Sequence, residues 1–394
     1  MAEASGDTDF PWHYGVFDAH CHPTSTLSSL QAIPSMRAKT LTVMATRAQD
    51  QELVARAADE YGIAPEDVAN QEMDWREGHK IIPAFGWHPW FSHQMFDEDD
   101  YDGARSLTLD QKVAHYQSVL HPRSDDTDFL RTLPEPRRFG EFLDQTKTYL
   151  QRYPLALVGE IGLDRSFRIP EAWLPGDVDL RDDALTPGGR EGRQLSPYRV
   201  SMDHQRKVLL AQLRLAGELQ RAVSVHGVQA HGVVYGTLAE SWKGYERKVP
   251  SKREKKRQED SAKRDAEPTD ASDDEEASTA SKPFPPRICL HSYSGPAENV
   301  KQYTNPSVPA QIFFSFSTTI NSWAEDGNGK VEAALRAVPD DSVLIESDLH
   351  TAGERMDRYL EEAVRKICLV KGWRLEDGVV RLAKNWMRFV FGHS

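Results

Sequence analysis

Six residues of metal-ligand type are spread along this chain: His20, His22, Glu160, His226, His291 and Asp348. Each closes a short apolar run. Imidazole nitrogens and carboxylate oxygens suit Mg²⁺, Mn²⁺ or Zn²⁺, and six such donors are enough for two ions. Glu160 is the natural bridge, because one carboxylate can offer an oxygen to each ion. Two bridged ions can activate a shared water and clamp the attacking and leaving oxygens of a hydrolysis. Asp348 could accept the proton from that water. In "VFDAHCHP" (16–23), Asp18, His20 and His22 alternate, so a β-strand would project them from one face. Taken alone, this triplet is either a metal pair with a helper or a polar surface.

The elements needed to bring six distant residues together can be read from the hydrophobic pattern. Eight β-rich apolar runs recur, at 15–20, 40–46, 81–86, 155–162, 222–227, 287–292, 311–317 and 342–348. They are nearly continuous, as expected of parallel strands buried on both faces. Helical spacing lies between them, as in 203–221, 328–338 and 353–371. Eight strands alternating with helices predict an α/β fold, a (β/α)8 TIM barrel with inserted loops, in which reacting groups sit at the C-terminal ends of the strands. All six residues fall at that end. His88 in "GWHP" and Asp164 in "GEIGLD" fall there too.

The 394 residues are expected to form one barrel domain over 1–394. Three stretches break the repeat and are expected to be insertions, at about 92–140, 165–199 and 241–286. The last carries ten Lys/Arg between Lys243 and Arg264, then seven Asp/Glu between Asp265 and Glu276, which predicts disorder. Its "KREKKR" (252–257) reads as a solvated loop rather than a nucleic-acid contact. The net charge of −13 disfavours general nucleic-acid binding, although a local basic cleft could still act. Cys21, Cys289 and Cys368 show no paired spacing, as expected of reduced thiols. No secretory leader and no membrane span are evident, so the expected location is cytoplasmic and/or nuclear.

The ordered motifs resemble the TatD-type metal-dependent hydrolases of the amidohydrolase superfamily. The family's D-x-H-x-H is matched by Asp18 to His22, its G-x-H-P by Gly86 to Pro89, and its G-E-x-G-L-D by Gly159 to Asp164. Further matches are Gln205 through Ala216, His291-Ser-Tyr-Ser-Gly295, Glu346-Ser-Asp348, and Asn385 with Phe389. The resemblance spans 16–391 outside the insertions. It implies a TIM barrel, metal-dependent hydrolysis, and nuclease action on DNA ends. The insertions resemble those of a fungal branch labelled as interactors of an anaphase-promoting-complex subunit, which implies a protein partner. Two departures stand out. Val228 occupies the place of the family's arginine in H-x-R, and Leu349-His350 follow Asp348 where the family has a small residue and Pro.

Two readings of His88 stand: a contact to substrate phosphate, or a brace for the loop before Pro89. Asp164 is expected to hold a ligand or anchor a loop rather than touch metal. Asp18 is expected to orient a ligating histidine or cap the strand. Three functions follow in order: a two-metal nuclease on DNA ends, a metallohydrolase of a small amide or ester, and a metal-retaining adaptor.

Overall fold

A computed structural model describes residues 10–68, 75–172, 193–249, 282–318, 321 and 329–392. All eight apolar runs form strands of one parallel sheet. They are β1 (Phe17–Cys21), β2 (Thr40–Met44), β3 (Ile81–Phe85), β4 (Leu157–Asp164), β5 (Val223–Val228), β6 (Arg287–Leu290), β7 (Gln311–Phe316) and β8 (Val343–Ile345). Their spatial order is their chain order, and every pairing between neighbours is parallel. The strands are buried almost throughout, which explains why their sequences lack a polar alternation.

Helices run between and after the strands: α1 (Ala48–Tyr61), α2 (Phe139–Arg152), α3 (Met202–Glu218), α4 (His231–Ser241), α5 (Ala297–Tyr303), α6 (Lys330–Ala337), α7 (Glu354–Lys371) and α8 (Leu375–Phe391). The sheet is nearly closed, and β1 and β8 meet at a seam of individual bonds. His22 N–H donates to Leu349 O (2.8 Å), and Asp348 N–H donates to His20 O (3.0 Å). The Asp18 carboxylate accepts from Ser347 N–H (3.0 Å) and Ser347 Oγ–H (2.6 Å).

Two glutamines seven residues apart lie on one face of α3 and bind strand-end backbone. Gln205 accepts from Asp164 N–H (2.8 Å) and donates to Asp164 O (2.9 Å). Gln212 does the same for Trp87, at 2.7 and 3.1 Å. They supply partners for strand-end backbone groups that would otherwise be buried unpaired. One helix thereby fixes the loops that carry His88 and Asp164. Asn385 on α8 plays the same part at the other end, donating to Asp340 O and Val343 O (both 2.8 Å).

Residues 92–140 leave the barrel but are folded. They hold helices at Leu109–Val119 and Thr127–Thr132, and the first starts at a capping box of Thr108 with Gln111. Strand Leu120–His121 pairs antiparallel with Arg199–Val200, so the described end of the 165–199 stretch packs on the 92–140 excursion. Ile169 and Val200 share an apolar cluster with Tyr116 and Leu130. Residues 173–192 and 250–281, including the basic run 252–257, lie outside the described residues.

Candidate metal centre

Two strand irregularities lie where the proposed ligands sit. Between Val158 and Ile161, β4 spends three steps against two on β5 (Val223 to Val225). Between Asp18 and Cys21, β1 does the same against Leu41 to Val43 on β2. Such bulges re-aim a side chain out of the strict alternation. The first contains Glu160 and the second His20. Gly162, just beyond the first, has φ +151°, and a Cβ there would lie 2.2 Å from His226 O, so only glycine fits.

Glu160 is buried, and its two oxygens face different histidines. Oε2 lies 3.1 Å from His22 Nε2 and 3.4 Å from His20 Nε2. Oε1 lies 2.8 Å from His291 Nε2, 2.9 Å from His226 Nδ1 and 3.1 Å from His88 Nε2. Asp348 approaches the first set, with Oδ1 3.6 Å from His22 Nε2 and 3.8 Å from His20 Nε2. The structure therefore brings together all six residues expected to be ligands. Two three-residue groups among them have donor atoms close enough for one ion, His20–His22–Asp348 and His20–Glu160–His291, and two further groups draw in His88 or Glu346.

Neighbours decide which ring nitrogen each histidine presents. Asp164 Oδ2 lies 3.1 Å from His226 Nε2. A carboxylate only accepts, so the proton sits on Nε2 and the Nδ1 lone pair faces Glu160. Asp164 is itself held by Trp90 Nε1–H (2.6 Å), Ser166 N–H (2.7 Å) and Phe167 N–H (2.9 Å). His20 Nδ1 is paired with Ser224 Oγ (2.8 Å), which leaves Nε2 toward the centre. His88 differs. Its Nδ1 accepts from Trp90 N–H (3.2 Å), so Nε2 carries the proton and donates to Glu160. It offers the site an N–H, not a lone pair.

Electrostatics follow from this crowding. Burial alone would push the Glu160 carboxyl up, but the imidazoles of His88, His291 and His20 hold it well below the usual range. Burial, reinforced by His291, pushes His20 down to about 3, so its ring is neutral. Burial also pushes Asp348 up to about 6, against the opposing pull of His291 and His22. Burial alone would push His22, His226 and His291 down, but the facing carboxylates, Glu160 and for His226 also Asp164, raise all three. Five ring nitrogens thus converge on one carboxylate that holds protons on several of them. That donor chemistry fits divalent ions, whose binding replaces the protons.

The sequence motifs also contained residues whose place at the site their types did not announce. Glu346 lies behind His291, with Oε1 3.5 Å from Nδ1, and accepts from Ser292 and Ser315. Its position two residues before Asp348 was the available signal, since alternate strand residues share a face. Ser224 and Trp90 carry no metal-ligand chemistry, and only their spacing from His226 and His88 marks them. Asp18 touches no ring; it accepts from His20 N–H (3.0 Å) and from Ser347 across the seam. Cys21 and Cys289 are buried and point elsewhere, toward Thr42 O and Ser315 Oγ.

Comparison with known proteins agrees with this layout. Residues 17–391 match the family model described as TatD related DNase. Cut9-interacting protein scn1 of Schizosaccharomyces pombe is 38% identical over 375 residues, covering 95% of this chain and 98% of that one. An uncharacterized deoxyribonuclease of Saccharomyces cerevisiae is 27% identical over 272 residues, covering 68% and 66%. Among solved structures, the TatD homolog YJJV of Escherichia coli K12 superposes with a TM-score of 0.50 at 16% identity, covering 96% and 98%. An uncharacterized amidohydrolase from Saccharomyces cerevisiae gives 0.51 at 13%, covering 95% and 99%. These two support the fold.

Proposed function

The chain belongs to the TatD-related DNase family, and from that premise we propose a hydrolase with two divalent ions that cleaves phosphodiester bonds at DNA ends. One observation carries the reading: Glu160 divides its two oxygens between two sets of imidazoles. In this assignment His20, His22 and Asp348 would hold one ion, His226 and His291 would hold the other, and Glu160 would serve both. Mg²⁺, Mn²⁺ or Zn²⁺ bound there would supply Lewis acidity and an ionised water at neutral pH.

The remaining roles belong to the protein. Asp348 accepts the proton of the attacking water, because its carboxylate reaches the centre from the strand opposite Glu160. His88 donates its Nε2 hydrogen toward a phosphoryl oxygen once Glu160 is engaged elsewhere. Asp164 keeps His226 in the tautomer that ligation requires, and Ser224 holds the His20 ring with Nε2 toward the centre. DNA as substrate rests on the family description and on the deoxyribonuclease name of one relative.

A second reading, hydrolysis of a small amide or ester, is favoured by Val228, which stands where an arginine would grip phosphate. The name of the relative scn1 favours a protein partner as well. The folded 92–140 excursion is the surface we assign to it. Such a partner would place the protein in the cytoplasm or nucleus.

The test is digestion of end-labelled single-stranded and duplex DNA by protein loaded with Mg²⁺, Mn²⁺ or Zn²⁺, with small ester and amide substrates in parallel. Nucleotides released from DNA ends, and lost on chelation, support the first reading. Turnover of the small substrates alone establishes the second.

A further inference from the structure

The opposite face of the barrel, where the strands begin, holds a cavity of about 320 Å³. Leu155, Ala156 and Ala222 line it just before β4 and β5, and Val68 and Phe391 close its sides. Two arginines share it, Arg221 and Arg287. Neither forms an ion pair with a carboxylate among the described residues.

Each arginine is tied to the C-terminal end of a helix. Arg221 donates to Leu150 O of α2 (2.9 Å). Arg287 donates to Phe389 O (2.7 Å) and Val390 O (3.2 Å) of α8. A helix end contributes only about half an elementary charge, and carbonyl contacts do not neutralise a guanidinium. Arg221 Nε is buried and has no hydrogen-bond partner among the described residues. A guanidinium has five N–H donors, and these bonds occupy one on Arg221 and two on Arg287. Burial lowers both groups from their usual value, and Arg221 adds to the effect on Arg287, so each lies in the other's field. Helix capping accounts for one arginine at each helix end. It does not account for two like charges in one partly apolar cavity without a counter-charge among the described residues.

We propose that this cavity binds a small oxyanion, a phosphate or carboxylate carried on an apolar body, between Arg221 and Arg287. Paired guanidinium forks match the oxygens of either group. The volume lies at the lower end of small-molecule sites, so the body is no larger than one ring or a short acyl chain. The site is separate from the candidate metal centre and independent of its assignment.

The experiment is isothermal titration of the full chain with inorganic phosphate, phenyl phosphate and benzoate, with and without a chelator. The expected result is one-to-one binding of phenyl phosphate or benzoate at the same affinity in both conditions. Preference between those two probes identifies the oxyanion. Tighter binding of phenyl phosphate than of inorganic phosphate establishes the apolar body. Arg221→Gln and Arg287→Gln should each weaken binding at least about tenfold while leaving metal content unchanged. Leu155→Trp, which fills the cavity and keeps both arginines, should exclude the ring-bearing probes even if the arginine variants lose their helix ties. Failure of all three anions to bind at millimolar concentration overturns the proposal. So does binding that survives both Arg221→Gln and Leu155→Trp.

Discussion

Asp348→Asn separates basicity from geometry at the proposed centre. Asp348 sits at φ +52°, in the left-handed region that Asp and Asn tolerate better than other side chains. Asparagine keeps the backbone, the volume and an oxygen in the place of Oδ1, which lies 3.6 Å from His22 Nε2 and 3.8 Å from His20 Nε2. Only the charge and the capacity to take a proton are lost. A positioned base contributes about 10²–10⁴-fold, or about 3–5 kcal/mol of barrier, and kcat should fall by that factor. Asp348→Ala should lose similar activity and also about 1–2 kcal/mol of stability, because alanine is strained in that conformation. The assay pairs single-turnover cleavage of end-labelled DNA with elemental analysis of the same samples at saturating metal. Wild-type turnover by Asp348→Asn at wild-type metal content would refute the base assignment.

Other outcomes follow from the same geometry. Glu160→Ala should strip most of the metal, whereas His88→Ala should retain it, since His88 presents an N–H; equal metal content by elemental analysis would remove the bridge. Asp164→Asn should weaken metal binding about 10–100-fold, because an amide can donate to His226 Nε2 and move the proton to Nδ1; a competitive chelator titration reads this out. Burial holds His93 down to about 3 and His204 to about 4, against an unfolded value of about 6.5. The unfolded chain therefore binds more protons as pH falls from about 6.5 to 4, and stability is lost over that window at up to about 1.4 kcal/mol per pH unit for each group. Denaturant unfolding at neutral and mildly acidic pH should show a shallower loss in His93→Gln and His204→Gln, and parallel curves would exclude these two as the acid-sensitive groups.

The barrel was legible because its strands are buried on both faces, so that runs such as Ile81–Phe85 and Gln311–Phe316 stand out from their surroundings. The proposed ligands were legible because parallel strands end together, which turns six distant positions into one place. The bulges at His20 and Glu160 were not, since nothing in the order of residues tells a strict alternation from one with an extra step. A partner such as Ser224 was hidden for a related reason: its role comes from what lies behind a ring, a relation across strands that local pattern does not encode. The 92–140 excursion lacks the barrel's period, yet Thr108 and Gln111 carried a helix-start signal that a search for barrel periodicity passes over.

The seam between β1 and β8 bears on how the molecule comes into being. His20 and His22 are made long before Asp348 and Leu349, to which their backbone groups bond. More than three hundred residues must emerge before the pocket can exist. No nascent fragment short of that point holds the full proposed ligand set, although Glu160, His226 and His291, the residues assigned to one ion, are all present once residue 291 has emerged. Ions bound at the complete proposed site would stabilise the several strands that supply it rather than one segment. A cut or permutation in a surface loop leaves the set able to reassemble. A chain truncated before residue 348 should lose the β1–β8 closure together with Asp348's share of the proposed metal site.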